Sequence, residues 1–174
     1  MDSGSVERVG MQKDIIELAR QLGDALSAKQ WMAATAESCT GGGVAYAITA
    51  ISGSSAWFDR GFVTYTNEAK QQMLDVSGET LNQHGAVSEA VVLEMTAGVL
   101  RHSSANIAVA ISGVAGPTGG SDEKPVGTVW ISWRTQDGIH HAKQYLFPGD
   151  REQVRLQAIR EALNGLLLYS KQNT

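Results

Sequence analysis

The sequence predicts an α/β fold: a single three-layer α/β/α domain around a mixed central sheet. Three observations lead there. Short apolar runs alternate with amphipathic helical stretches, as in parallel βα units. Two later apolar runs are joined around a tight-turn dipeptide, as in an antiparallel hairpin. The length of 174 residues suits one sizeable core.

Taken in order, residues 1–10 precede the first apolar stripe and are expected to be disordered or weakly ordered, with the domain itself spanning 11–170. Ile15, Ile16, Leu18, Ala19, Leu22, Ala25 and Leu26 repeat at helical spacing over 11–29. Trp31 to Ala36 reads as a short buried strand, stopped by the polar run Glu37-Ser38-Cys39-Thr40. The glycines at 41–43 open a helix through Val44–Ile48. Phe58 to Thr66 alternates like a strand, and Thr66 or Asn67 caps the helix that follows. His84-Gly85 is a helix stop, and Ser88-Glu89 starts a strong helix through Leu100. Asn106 to Ile111 is apolar enough for a central strand. Val129–Trp133 and His141–Phe147 form the hairpin around Asp137-Gly138, and Asp150 caps a last helix. Parallel strands of such a sheet collect polar loops at their carboxyl ends, where ligands bind. The loops 37–43, 65–70 and 112–125 fit that position.

Composition narrows the function classes. Hydrophobic residues make up 43% and charged residues 18%, as in an ordinary globular protein. A net charge of −4 offers no basic field for nucleic acid or an anionic membrane, so an anionic small substrate needs local positive groups. The single cysteine, Cys39, permits no internal disulfide and points to a reducing, cytoplasmic setting. No apolar run approaches the ~18 residues of a membrane span, and no ligand cluster for a metal is visible.

Three constellations carry chemistry. The first is Glu37-Ser38-Cys39-Thr40-Gly41-Gly42-Gly43, where a strand feeds a helix start and presents Ser38 like a nucleophile elbow. The backbone around Thr40, Gly41 and Gly42 is free to approach an oxyanion or phosphate. The bland alternative is a Ser/Thr cap with small residues for close packing. The second is Tyr65 with Lys70, which falls in the first turn of its helix. There the macrodipole and desolvation both lower an amine pKa. A neutral lysine can activate a serine without histidine, whereas a lysine on a solvated face cannot. The third is Ser112-Gly113-Val114-Ala115-Gly116-Pro117 with Lys124 further along, which can admit a ligand ring and hold phosphate. Arg151 and Arg155 near the start of the last helix are further phosphate candidates. Cys39 is the rival nucleophile, although a buried inert thiol fits its position better. The histidines read as structural or surface residues.

These strings together resemble the C-terminal domain of the CinA (competence/damage-inducible) proteins. The matching pieces are Ala36–Gly42, Gly53–Ser55, Gly61–Lys70, His84–Glu89, Gly113–Pro117, Lys124–Trp130 and Phe147–Arg151, in order along nearly the whole chain. Departures are Ser52, Ser112 and Asp75, where the family often has Pro, Thr and Gly. The resemblance implies an amidohydrolase that converts nicotinamide mononucleotide to nicotinate mononucleotide and ammonia, without cofactor or metal. It implies Ser38, Tyr65 and Lys70 as the catalytic group, with Lys70 taking the serine proton directly or through Tyr65. Substrate contacts are then expected from Glu37, Thr40, Gly41, Gly42 and Asn67, and from Ser112, Gly113, Ala115 and Gly116. Lys124 or Arg151 would hold the phosphate, and a homodimer or higher homo-oligomer is expected. The competing reading is a nucleotide-binding regulatory module without turnover.

Overall fold

The structure, a computed structural model, describes residues 3–172. The chain opens with α1 (Ser3–Lys29), ahead of the start at residue 11 that the periodicity predicts. The part of the expected weakly ordered segment before Ser3 lies outside the described residues. Gln30 turns the chain at φ 58°, and Trp31 N–H returns to Leu26 O at 2.9 Å. Met32 N–H donates to Asn106 Oδ1 at 2.7 Å. These bonds hold Trp31 and Met32 out of the ladder, so β1 runs Ala33–Glu37 rather than from Trp31. After α2 (Gly43–Thr49) and a single turn at Ser54–Ala56 comes β2 (Phe58–Val63).

Three helices follow: α3 (Asn67–Leu74), α4 (Gly78–His84) and α5 (Glu89–Arg101). The caps are those the sequence suggests. Thr66 Oγ1 accepts from Ala69 N at 3.0 Å and Ser88 Oγ from Val91 N at 3.3 Å. The chain then builds β3 (Ile107–Gly113), the hairpin of β4 (Thr128–Thr135) and β5 (His140–Leu146), and α6 (Arg151–Lys171). Asp150 closes a full capping box with Gln153 at the start of α6.

The strand order is β2-β1-β3-β4-β5, with the first three parallel and the last two antiparallel. This is the mixed sheet predicted. Its two faces are packed differently. Ile107, Val109, Ile111, Ile131 and Trp133 point to one side, against Leu22 and Leu26 of α1, Ile48 of α2 and Leu163 and Leu166 of α6. The other side offers mostly alanine (Ala34, Ala36, Ala108, Ala110) to Val91, Met95 and Val99 of α5 and Leu74 of α3. Small residues let α5 lie close to the sheet. A Cβ at Gly98 of α5 would sit 2.8 Å from the Leu74 carbonyl carbon, so α3 in turn lies close to α5. Because β1, β2 and β3 are parallel, the three loops that follow them share one edge of the sheet.

Candidate active site

Ser38 follows β1 directly and is locked between its neighbours. Its N–H donates to Ile111 O at 3.0 Å, while Thr64 N–H donates to Glu37 O at 2.9 Å. The turn beyond it needs left-handed backbone, with Gly41 at φ 59° and Gly42 at φ 102°, where a side chain would be strained. Glu37 holds this turn from beneath. Its carboxylate accepts from Thr40 Oγ1 at 2.7 Å, Val44 N at 2.7 Å and Ala45 N at 3.1 Å. Burial pushes the Glu37 carboxyl above its usual range, and the hydrogen bonds from Thr40 and the α2 amides oppose that. Glu37 therefore fastens the elbow to the start of α2.

Lys70 is 1% exposed, on the inner face of α3. Helical side chains lean toward the helix N-terminus, which carries its ammonium back to the end of β2. There Nζ lies 2.8 Å from Thr64 O and 3.0 Å from Ser38 Oγ. Among the described residues no carboxylate lies within ion-pair distance of it. Desolvation brings the amine down to about 8, against a small opposing influence from Cys39. Roughly a tenth of the amine is then neutral at pH 7. A neutral amine keeps one N–H on Thr64 O and turns its lone pair to Ser38, whose O–H otherwise reaches Tyr65 O at 3.4 Å. The rival nucleophile is disarmed. Burial first, then the Glu37 charge, pushes the Cys39 thiol up to about 12.

Tyr65 joins the pair through its backbone carbonyl only. Its side chain is 57% exposed, and its hydroxyl accepts from Arg151 Nη2 at 3.0 Å. Arg151 Nη1 also donates to Gly116 O at 2.9 Å, so this guanidinium joins the loops after β2 and β3. One turn along α6, Arg155 Nη2 donates to Thr40 O at 3.3 Å and supports the first loop.

Other expected contacts are placed differently. Lys124 Nζ donates to His84 O at 2.6 Å and ties its loop to the end of α4. The bare face of Gly113 is filled by Val129 and Thr128 O of β4. Ser112 is buried opposite Trp130, and Ala115 joins the core below. Asn67 is exposed at the start of α3. A cavity of about 580 Å³ lies among Ile15, Thr40–Gly43, Tyr46, Arg155 and Ile159, on the α2 and α6 side of the loop after Ser38. Sequence reasoning missed Thr64, whose carbonyl holds the lysine. The backward lean of a first-turn lysine is the signal that points to it.

A family model described as the CinA C-terminal domain matches residues 15–169. The chain is 56% identical over 161 residues to the nicotinamide-nucleotide amidohydrolase PncC of Escherichia coli (strain K12), covering 92% of this chain and 98% of that protein. It is 50% identical over 153 residues to the protein of that name from Pseudomonas putida, covering 88% and 95%. A crystal structure of the competence/damage inducible protein CihA from Agrobacterium tumefaciens superposes with a TM-score of 0.89 at 48% identity, covering 91% and 96%.

Proposed function

The chain belongs to the CinA C-terminal domain family, and from that premise we propose that it is an amidohydrolase converting nicotinamide mononucleotide to nicotinate mononucleotide and ammonia. The observation that carries the reading is the buried Lys70 amine 3.0 Å from Ser38 Oγ at the carboxyl edge of the sheet. The family relatives' names supply the substrate.

In the mechanism, neutral Lys70 accepts the Ser38 proton as Oγ attacks the carboxamide carbon. The pyridinium ring withdraws electrons and makes that carbon electrophilic. The oxyanion is met by backbone N–H groups after Ser38. Gly41 N–H already donates to Ser38 O and Gly42 N–H to the Glu37 carboxylate, which leaves the N–H groups of Cys39 and Thr40 for this role, neither of them taken by a backbone carbonyl among the described residues. Such a donor is worth roughly 3–4 kcal/mol in other hydrolases. As the C–N bond breaks, the Lys70 ammonium returns its proton to the leaving nitrogen, and ammonia departs. Lys70, neutral again, takes a proton from water, the hydroxide attacks the acyl-enzyme, and Ser38 is reprotonated as nicotinate mononucleotide leaves.

Residues 11–170 act as one domain in this reading, in the bacterial cytoplasm and as a homodimer or higher homo-oligomer. A lone buried cysteine suits that compartment. No described helix is long and apolar enough to cross a membrane. Incubation with nicotinamide mononucleotide, with ammonia measured, tests the function. Release at a rate proportional to enzyme is expected; binding without release would leave the regulatory module instead.

A further inference from the structure

We propose that the Thr64 hydroxyl is a positioning group for the proton on Lys70: once Ser38 is acylated, it takes over the ammonium N–H that Ser38 Oγ held. This rests on the amidase reading above. Among the described residues three buried side-chain atoms have no hydrogen-bond partner: Thr35 Oγ1, Arg155 Nε and Thr64 Oγ1. Only the last belongs to a residue that holds Lys70. Thr64 is 0% exposed. A buried hydroxyl without a partner costs free energy that valine, of nearly the same shape, avoids. That cost has a reason if the hydroxyl is satisfied at another stage of the reaction.

The hydroxyl is on the lysine's side of the sheet. Thr64 N–H continues the pairing of β2 with β1 through Glu37 O, so the chain is still extended there. Phe62, two residues back, packs against the core on the α5 side. Val63 lies on the other side, its Cγ2 3.6 Å from where a Gly42 Cβ would sit. Alternation then turns Thr64 toward α3 and α5. Lys70 Nζ is already 2.8 Å from the carbonyl oxygen of this same residue. Rotation about the Thr64 Cα–Cβ bond re-aims Oγ1 among staggered positions without moving that carbonyl.

The need arises at one stage. A lysine ammonium has three N–H groups, and here it has two acceptors, Thr64 O and Ser38 Oγ. In the acyl-enzyme Ser38 Oγ is an ester oxygen, a poor acceptor. Lys70 then takes a proton from water as the water oxygen bonds to the acyl carbon, and of its two acceptors only Thr64 O remains. Thr64 Oγ1 supplies the second. Ser38 Oγ leaves with that proton, and the resting pair is restored. No carboxylate shares the task. Glu37 is turned to the start of α2, Glu68 of α3 and Glu79 of α4 are exposed, Glu94 of α5 accepts from Ser77 N, and Asp75 bonds His102. The Tyr65 hydroxyl is on Arg151. Besides its loss of water, only buried Cys39 acts on the amine.

Two measurements test the proposal. On the methyl ester of nicotinate mononucleotide, which acylates fast, Thr64→Val should lower kcat roughly tenfold and KM with it. It should leave kcat/KM near wild type, and Thr64→Ser should keep wild-type values. Equal loss of kcat and kcat/KM would mean that Thr64 merely shapes the Ser38–Lys70 pair, and overturns the proposal. The second measurement is NMR titration of the Lys70 Cε carbon in lysine-labelled protein. Ser38→Ala removes the serine acceptor, as acylation does. In that background Thr64→Val should lower the Lys70 midpoint by about one pH unit, the loss of a hydrogen bond to a charged group, and Thr64→Ser should not. With Ser38 present, Thr64→Val should move it by less than about a third as much. No shift in the Ser38→Ala background, or an equal shift in both, overturns the proposal. These titrations need no turnover, so they decide the role of the hydroxyl even where the wild type releases no ammonia, the result that sinks the amidase reading instead.

Discussion

Two polar pairs at this sheet edge have the same 3.0 Å spacing, Lys70 with Ser38 and Arg151 with Tyr65. They differ in water. Lys70 is 1% exposed and Tyr65 57%. Out of water, an amine without a counter-ion is drawn toward its neutral form, and a neutral amine can accept a proton. In water, the same spacing between a guanidinium and a phenol oxygen makes a hydrogen bond and no more. Distance makes both pairs; burial makes only one of them reactive.

The largest test of that contrast is the nucleophile. Ser38→Ala should lower ammonia release by roughly a thousandfold or more, while Cys39→Ala keeps most of it. An essential Cys39 with a dispensable Ser38 would mean that a thiol held up to about 12 is nonetheless the nucleophile, and the comparison would fail.

Next is the base. With Lys70 lowered to about 8 in the free protein, kcat/KM should rise with pH along a limb centred near that value, as the amine loses its proton. Lys70→Arg keeps a charge that does not titrate, so its kcat should be nearly as low as that of Lys70→Ala across pH 6–10. A kcat within a few-fold of wild type would move Lys70 to binding.

A smaller effect concerns stability. The folded lysine titrates near 8 and the unfolded one near 10.5, so between those values the unfolded chain binds more protons. Wild-type stability therefore rises with pH through that window, and below it the buried amine costs up to about 3 kcal/mol. Lys70→Met removes the cost but leaves Thr64 O without its donor, which offsets about 1 kcal/mol. Its Tm at pH 7 should exceed wild type by about 5 °C, shrinking toward pH 10. A Tm at or below wild type at pH 7 would show that the amine is not strained by burial.

Smallest of all is the effect of a chelator, which should be nil. Among the described residues no group of three His, Cys, Asp or Glu side chains is placed to hold a metal. Loss of activity with chelator and its return with zinc or magnesium would contradict this.

The sequence shows elements far better than partners. The caps at Thr66, Ser88 and Asp150, the hairpin at Asp137-Gly138 and the strand-to-helix elbow at Ser38 all follow from local pattern, because each is decided within a few residues. Lys70 in the first turn of α3 is local too. What it meets is not: Thr64 O and Ser38 Oγ are set by how β1 and β2 pair and how α3 lies across them. The same holds for Lys124, drawn to His84 O across 40 positions, and for Tyr65, drawn to Arg151 across 86. Glu37 looked available to a ligand because the helix-start amides it satisfies come after it in the chain.

The alanine face of the sheet has a consequence for how such an enzyme can drift. Ala34, Ala36, Ala108 and Ala110 set how near α5 lies to the strands, and Gly98 sets how near α3 lies to α5. Leu74 is one turn beyond Lys70 on the same buried face of α3. The thickness of this small-residue layer thus acts as a depth gauge for the lysine, and depth is what lowers its pKa. Adding a methyl group or two in that layer would lift α3 and let solvent reach the amine. The optimum pH would then climb while every residue that touches substrate stayed the same.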